Sequence, residues 1–207
     1  MTADTIPANP SASAGKPRRP HPPHEVFSAS RAGHLDSRLR RFLYHPDRLA
    51  ERYVTPGSRV LDFGCGPGFF TREFAKRVGD TGMVIAVDLQ EKMLQILKKK
   101  LEPEALMSRI KTHQSAPDSL GLSPEYDGRI DVAFAIFVVH EVPDPAKLFR
   151  EIAALLAPGG LLFLSEPPFI VPGGEFRDTI ARAEEAGLRL IKRRFFFVNR
   201  AAVLRKD

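Results

Sequence analysis

Residues 58–71, Ser-Arg-Val-Leu-Asp-Phe-Gly-Cys-Gly-Pro-Gly-Phe-Phe-Thr, constrain the fold of this 207-residue chain more than any other stretch. After the turn residues Pro56 and Gly57, Val60, Leu61 and Phe63 form a short apolar run of the kind buried in a parallel sheet. Gly64, Gly66 and Gly68 then turn the chain sharply, and a helical pattern starts at Thr71. Glycines in such a turn can take positive φ and let a ligand lie against the backbone, while the helix that follows presents unpaired N–H groups there. The combination predicts an α/β domain with a cofactor cradle at the end of its first strand.

Spacing narrows the cofactor. A dinucleotide fingerprint, G-x-G-x-x-G, needs its third glycine at position 69, which is Phe69, and a P-loop needs a following G-K-S/T, which is absent. The stretch instead resembles motif I of the class I S-adenosylmethionine-dependent methyltransferases, (V/L)-L-D-x-G-x-G-x-G, without departure, and the resemblance extends over roughly residues 40–207. It implies an α/β fold: a Rossmann-like, doubly wound seven-stranded sheet, mostly parallel, with an antiparallel C-terminal hairpin. It also implies S-adenosyl-L-methionine as cofactor, with S-adenosyl-L-homocysteine as product. Carried over, Gly64 and Gly66 pack against the methionine part, Gly68 completes the turn, and Asp62 orients the turn and the cofactor's amino group. Cys65, the single cysteine, has no partner for an internal disulfide and reads as a small residue beside the ligand.

Composition fits one globular domain: 43% hydrophobic and 27% charged residues, with no apolar stretch approaching the ~18 residues of a membrane span. No cationic and apolar leader is visible at the N-terminus, and the expectation is a cytoplasmic protein. The formal charge of +6 suits an anionic partner, whether nucleic acid, phospholipid headgroups or an anionic small molecule.

Residues 1–23 hold six prolines and no apolar period, which predicts a disordered tail. Residues 24–54 read as a helical arm, and residues 55–207 as the cofactor-binding domain. In the arm, Leu35, Leu39, Phe42 and Leu43 fall at helical spacing among several arginines; His45-Pro46 interrupts, and Asp47 is suited to cap a second short helix. In the family this resembles, such an arm often closes over the cofactor. The arginines are read either as a solvated face or as a cationic lid over an anionic acceptor.

A second strand, Met83–Asp88, ends in an acid 24 residues past Gly64. A carboxylate at that place can accept both hydrogen bonds of a ribose diol, the role the resemblance gives Asp88, and it can also cap the helix expected over residues 90–101. Leu89 and Met93 are expected on the adenine side. A third strand over Arg109–His113 leads to Gln114-Ser115-Ala116, where the family commonly has an aspartate near the adenine amino group; here Gln114, Ser115 or the backbone near Ala116 must serve.

The fourth strand, Ile130–Ile136, runs into Phe137-Val-Val-His-Glu-Val-Pro-Asp-Pro145. This segment resembles the L-H-H-x-x-D-P of small-molecule methyltransferases of the ubiquinone-biosynthesis type, with Val139 for Leu and Glu141 for the second His. Phe137 is expected at the cofactor. His140 is the best placed candidate for a catalytic base, because an imidazole titrates near neutral pH, although a His at this position more often holds the loop by hydrogen bonds. No D-P-P-Y or N-P-P-Y is present, and the His140, Glu141 and Asp144 spacing does not suit a metal.

A helix over residues 145–156, a break at Pro158-Gly159-Gly160, a fifth strand over 161–165, a loop over 166–174, a helix over 176–186 and a hairpin of 188–198 with 201–204 complete the reading. The expected reaction is methyl transfer to a small-molecule or lipid-like acceptor, with peripheral lipid contact compatible. RNA or protein as acceptor, through the basic arm, and a non-catalytic binding module are the alternatives.

Overall fold

The computed structural model describes residues 38–207; the tail 1–23 and the first part of the arm, residues 24–37, lie outside the described residues. Two helices come first, α1 (Arg38–Tyr44) and α2 (Pro46–Tyr53). His45 joins them in the left-handed region at φ 42°. Asp47 does not cap α2 as expected but lies in its first turn, because Pro46 takes the first helical positions, where its missing N–H leaves nothing unpaired.

Strands and helices then alternate: β1 (Arg59–Phe63), α3 (Thr71–Val78), β2 (Met83–Asp88), α4 (Glu91–Leu101), β3 (Ile110–Gln114), β4 (Ile130–Ile136) and α5 (Pro145–Leu155). They are followed by β5 (Leu156–Glu166), α6 (Gly173–Glu185), β6 (Leu188–Phe196) and β7 (Asn199–Lys206). The seven strands form one sheet in the order β3-β2-β1-β4-β5-β7-β6. Strands β1 to β5 pair parallel, and β7 pairs antiparallel with both β5 and β6. Strand order reverses between β1 and β4, so the loops that follow them diverge and leave a crevice at their carboxyl ends.

Both faces are covered. Alternate side chains leave a strand on opposite sides, so Val60, Val84, Phe134 and Phe163 share a core with α2, α3 and α4, whereas Leu61, Ile85, Ala133 and Leu162 share one with α5 and α6. In the first core Phe74 stacks on Phe134 with ring centroids 4.1 Å apart, and Phe163 lies 5.9 Å from Phe134. No helix among the described residues is long and apolar enough to cross a membrane.

Differences from the expected elements cluster after α5. The Pro158-Gly159-Gly160 segment does not separate helix from strand; it forms an irregularity inside β5, where Leu156 pairs with Ile130 and pairing resumes at Leu161 with Val132. A Cβ on Gly160 would lie 2.8 Å from the Ala157 carbonyl and 3.0 Å from that of Ile130, which explains how so tight a bulge fits. At its other end β5 continues to Glu166, and α6 starts at Gly173, which shortens the loop to residues 167–172.

Asp62 fastens β1 to α3. Its carboxyl is 3% exposed and accepts a 2.6 Å bond from the Thr71 hydroxyl. Burial raises its pKa from 3.8 to about 7, with the charge of Asp88 adding and the Thr71 bond opposing. A folded-state pKa above the unfolded one gives stability that is whole below about pH 4 and is lost progressively as pH rises to about 7. In urea unfolding of the cofactor-free protein, Asp62→Asn, whose amide oxygen can still accept from Thr71, is expected to gain on the wild type by about 1.4 kcal/mol per pH unit up to about pH 7 and by no more above it. Phe134→Ala, which opens a cavity between stacked rings, is expected to lose about 3–5 kcal/mol at any pH in the same assay.

Candidate active site

The turn after β1 is bonded to the end of β2. The N–H groups of Gly64 and Cys65 both donate to the Val87 carbonyl, at 2.9 and 3.0 Å, and that of Gly66 donates to Asp88 Oδ2 at 2.8 Å. Gly66 stands at φ 53° with no atom within 4 Å of where a Cβ would be, so it bares its backbone to open space. Gly64, at φ 70°, has the opposite surroundings: a Cβ there would collide with the side chain of Val138, in the segment after β4. Gly68 allows close packing of another kind, since a Cβ would come 2.9 Å from Leu97 Cγ of α4.

A cavity of about 900 Å³ opens over this turn at the carboxyl ends of the strands. Gly64, Cys65 and Gly66 line one side of it, and Asp88, Leu89 and Met93 another. Ser115 and Ala116 line it after β3, whereas the Gln114 amide is used on the Leu89 carbonyl at 3.1 Å. Phe137 and His140 line it after β4. Asp62 and Gly68, both expected at the cofactor, are not among the lining residues: the Asp62 side chain points to the α3 side and Gly68 to α4. Cys65 is buried, and burial together with the charges of Asp62 and Asp88 pushes its thiol well above the ordinary value, the wrong direction for a nucleophile.

Asp88 uses each carboxylate oxygen once on the backbone, Oδ2 on Gly66 and Oδ1 on the Gln90 N–H at 2.9 Å. The second bond caps the approach to α4, and a carboxylate keeps further acceptor capacity for a ligand. Burial raises its pKa against these two bonds. An open glycine backbone, a carboxylate one strand away and an apolar cavity wall fit a nucleoside joined to an amino acid, as S-adenosylmethionine is.

The other half of the site is built on Glu166, the last residue of β5, which is 1% exposed. Its Oε1 accepts the N–H groups of Val139 and His140 at 2.8 and 3.2 Å, and its Oε2 lies 2.6 Å from His140 Nδ1. One carboxylate thus shapes the 3-10 turn Val139–Glu141 and fixes the imidazole. Burial opposes the charged ring, but the hydrogen bond and charge of Glu166, with the charges of Glu141 and Glu175, hold the His140 pKa above its ordinary value. With Nδ1–H donated to Glu166, Nε2 is the nitrogen suited to take a proton. Just before the turn, Phe137 stands at φ 61°, its N–H bonded to the Ser165 carbonyl at 2.8 Å.

Sequence reasoning missed Glu166, placing it at the start of a loop. The available signal was its position as an acid closing an apolar strand, the same signal that singled out Asp88. It also missed Tyr44 and Asn199, which line the cavity and lie within 3.3 Å of each other, Nδ2 to hydroxyl. Among the described residues no group of three or more His, Cys, Asp or Glu is arranged to hold a metal.

A methyltransferase-domain family model matches residues 60–160. The ubiquinone biosynthesis O-methyltransferase of Xanthomonas campestris is 34% identical over 119 residues, 58% of this chain and 47% of that protein. A ubiquinone/menaquinone biosynthesis C-methyltransferase of Vibrio campbellii is 34% identical over 111 residues, 54% of this chain and 42% of that one. The chain therefore spans less than half the length of these relatives. Over most of its own length it resembles the crystal structure of a SAM-dependent methyltransferase from Aquifex aeolicus, at 25% identity with a TM-score of 0.77, covering 87% of this chain and 98% of the other. Its sheet order, its glycine turn and these likenesses agree: residues 60–160 carry a methyltransferase domain, and the chain shares its fold with a SAM-dependent methyltransferase and its sequence pattern with enzymes of ubiquinone biosynthesis.

Proposed function

We propose that this chain transfers a methyl group to an apolar small molecule carrying an acidic hydroxyl, and that the His140–Glu166 pair removes the hydroxyl proton. The observation that carries this reading is the pair itself, with the buried Glu166 behind His140 and His140 lining the same cavity as Gly66 and Asp88. S-adenosylmethionine, when bound, supplies a methyl group activated by its sulfonium and leaves as S-adenosylhomocysteine.

In this reading Gly64, Gly66 and Asp88 hold the cofactor, with Asp88 on the ribose hydroxyls and Leu89, Met93, Ser115 and Ala116 around the base. Tyr44, Phe70, Phe137 and Val142 wall the acceptor side and exclude water. The acceptor's proton passes to His140 Nε2 while Nδ1–H stays with Glu166, which stabilises the imidazolium as it forms. Orientation supplies much of the remaining acceleration, up to about 7–11 kcal/mol. The described part of the arm, α1 and α2, acts as one wall of the lid, since Tyr44 lines the cavity from the end of α1.

Titration calorimetry is expected to give micromolar binding of S-adenosylmethionine, weakened about 10–100-fold in Asp88→Ala through loss of charged hydrogen bonds. Transfer of labelled methyl to small phenols and enols is expected to drop about 100- to 10,000-fold in His140→Ala with cofactor affinity kept. Transfer to RNA instead, or to no acceptor class at all, would refute the reading.

The pH profile separates a base from a loop fastener. Because His140 titrates above its usual 6.5, wild-type kcat/KM is expected to rise with pH through a midpoint above that value. Glu166→Gln removes the charge that raises it, so the midpoint should move to lower pH while kcat falls. A fall in kcat with the midpoint unmoved would leave His140 a structural residue.

A further inference from the structure

We propose that the rim of the cavity is a docking surface for an anionic lipid bilayer. The large apolar side chains that stand in solvent are confined, among the described residues, almost entirely to this end of the molecule. Phe169 is 93% exposed, Phe195 73% and Phe42 70%, with Ile170, Phe197 and Val198 about half exposed; Ile191, farther along β6, is the one other.

Register brings these residues together. Arg200 and Ala201 pair with Glu166 and Ser165, so the β6–β7 tip, Phe197-Val198, stands beside the end of β5. Arg200 donates to the Val171 carbonyl at 3.2 Å, which holds the 167–172 loop against the hairpin, and Phe195 lies opposite Arg200 in the ladder. Ile170 and Asn199 line the cavity itself. From the other side α1 contributes Phe42, two residues before the cavity-lining Tyr44, which meets Phe197 with ring centroids 5.7 Å apart.

Charge selects the partner. Residues 188–206 contain seven Arg and Lys and no Asp or Glu. Lys192 and Arg193 are exposed on β6, and neither takes part in an ion pair among the described residues. Exposed aromatic side chains on three separate segments, α1, the 167–172 loop and the β6–β7 hairpin, together with the cations of β6, match a headgroup layer: the rings enter the acyl boundary and the cations meet phosphate. A folded protein partner would need a separate pocket for each tip. A cavity that opens between them would receive an apolar acceptor straight from the lipid.

The test is sedimentation of the full chain with phosphatidylcholine vesicles, with and without phosphatidylglycerol, at low and high salt. Wild type is expected to pellet with the anionic vesicles and to be released by salt. Phe169→Asp with Phe195→Asp, at positions that do not line the cavity, is expected to weaken this by about tenfold or more. Lys192→Glu with Arg193→Glu should abolish the preference for phosphatidylglycerol. Unchanged melting and unchanged S-adenosylmethionine titration in both variants show that fold and cofactor site are intact, so the outcome is independent of the methyl-transfer reading. No vesicle binding by wild type at low salt, or binding undiminished in both variants, would overturn the proposal. So would a self-association in sedimentation equilibrium that the same substitutions dissolve while vesicle binding is lacking.

Discussion

The three N–H groups gathered on the Glu166 carboxylate are the constraint on which the working end of the sheet depends. They come from Val139, His140 and the His140 ring, 26 to 27 residues earlier in the chain. A buried carboxylate without such bonds would carry a desolvation penalty of several kcal/mol, so the turn after β4 and the end of β5 form as a unit or not at all. The clamp sets Val139 and thereby Val138, whose side chain occupies the space a Cβ on Gly64 would take. Gly64 begins the turn that Asp88 holds through Gly66. From β5 to β2, contacts therefore run without interruption across the point where strand order reverses.

Phe137 is where that assembly stores strain. A phenylalanine at φ 61° costs on the order of 1 kcal/mol or more, and it persists only where the surroundings over-determine it. The Ser165 carbonyl takes its N–H, and its ring meets Tyr44 at 5.5 Å and Phe196 at 6.4 Å. The same contacts join α1 and the C-terminal hairpin to the cavity wall. Strain at one backbone position is thus offset by elements from both ends of the described chain.

This pattern explains what could be read in the sequence. β4 is an apolar run broken only by the exposed Asp131, and its expected and observed limits coincide at Ile130 and Ile136. Asp88 stood out because it closes such a run at a distance from the glycine turn that one βαβ unit dictates. Glu166 closes a run too, but Pro167-Pro168 follows it and masks the strand end as a loop. Pro158-Gly159-Gly160 misled in the opposite way: it breaks helical and strand periodicity alike, and only the Ile130–Leu156 pairing shows that β5 has already begun. For Tyr44 and Asn199, 155 residues apart, no local pattern exists. Asp62 shows the remaining difficulty, since the motif marks the residue but not that its carboxyl is used on Thr71 at the start of α3.

The rim and the cradle also differ in how they are specified. The cradle sits where parallel strands end, and short-range signals fix it: apolar runs, glycines and a closing acid. The rim exists because β7 returns antiparallel beside β5, which carries the hairpin tip to the same end as the parallel strand termini, near α1 and the 167–172 loop. Each of those segments is weakly periodic, and contacts between distant residues, such as Arg200 to Val171 and Asn199 to Tyr44, tie them to one another. The rim is thus assembled from segments with no local signature, whereas the parts of the cradle carry one each, even though Val138 and Asp88 lock its turn from a distance. On the proposed function, substitutions in the rim would change what enters the cavity without disturbing the turn proposed to hold the methyl donor.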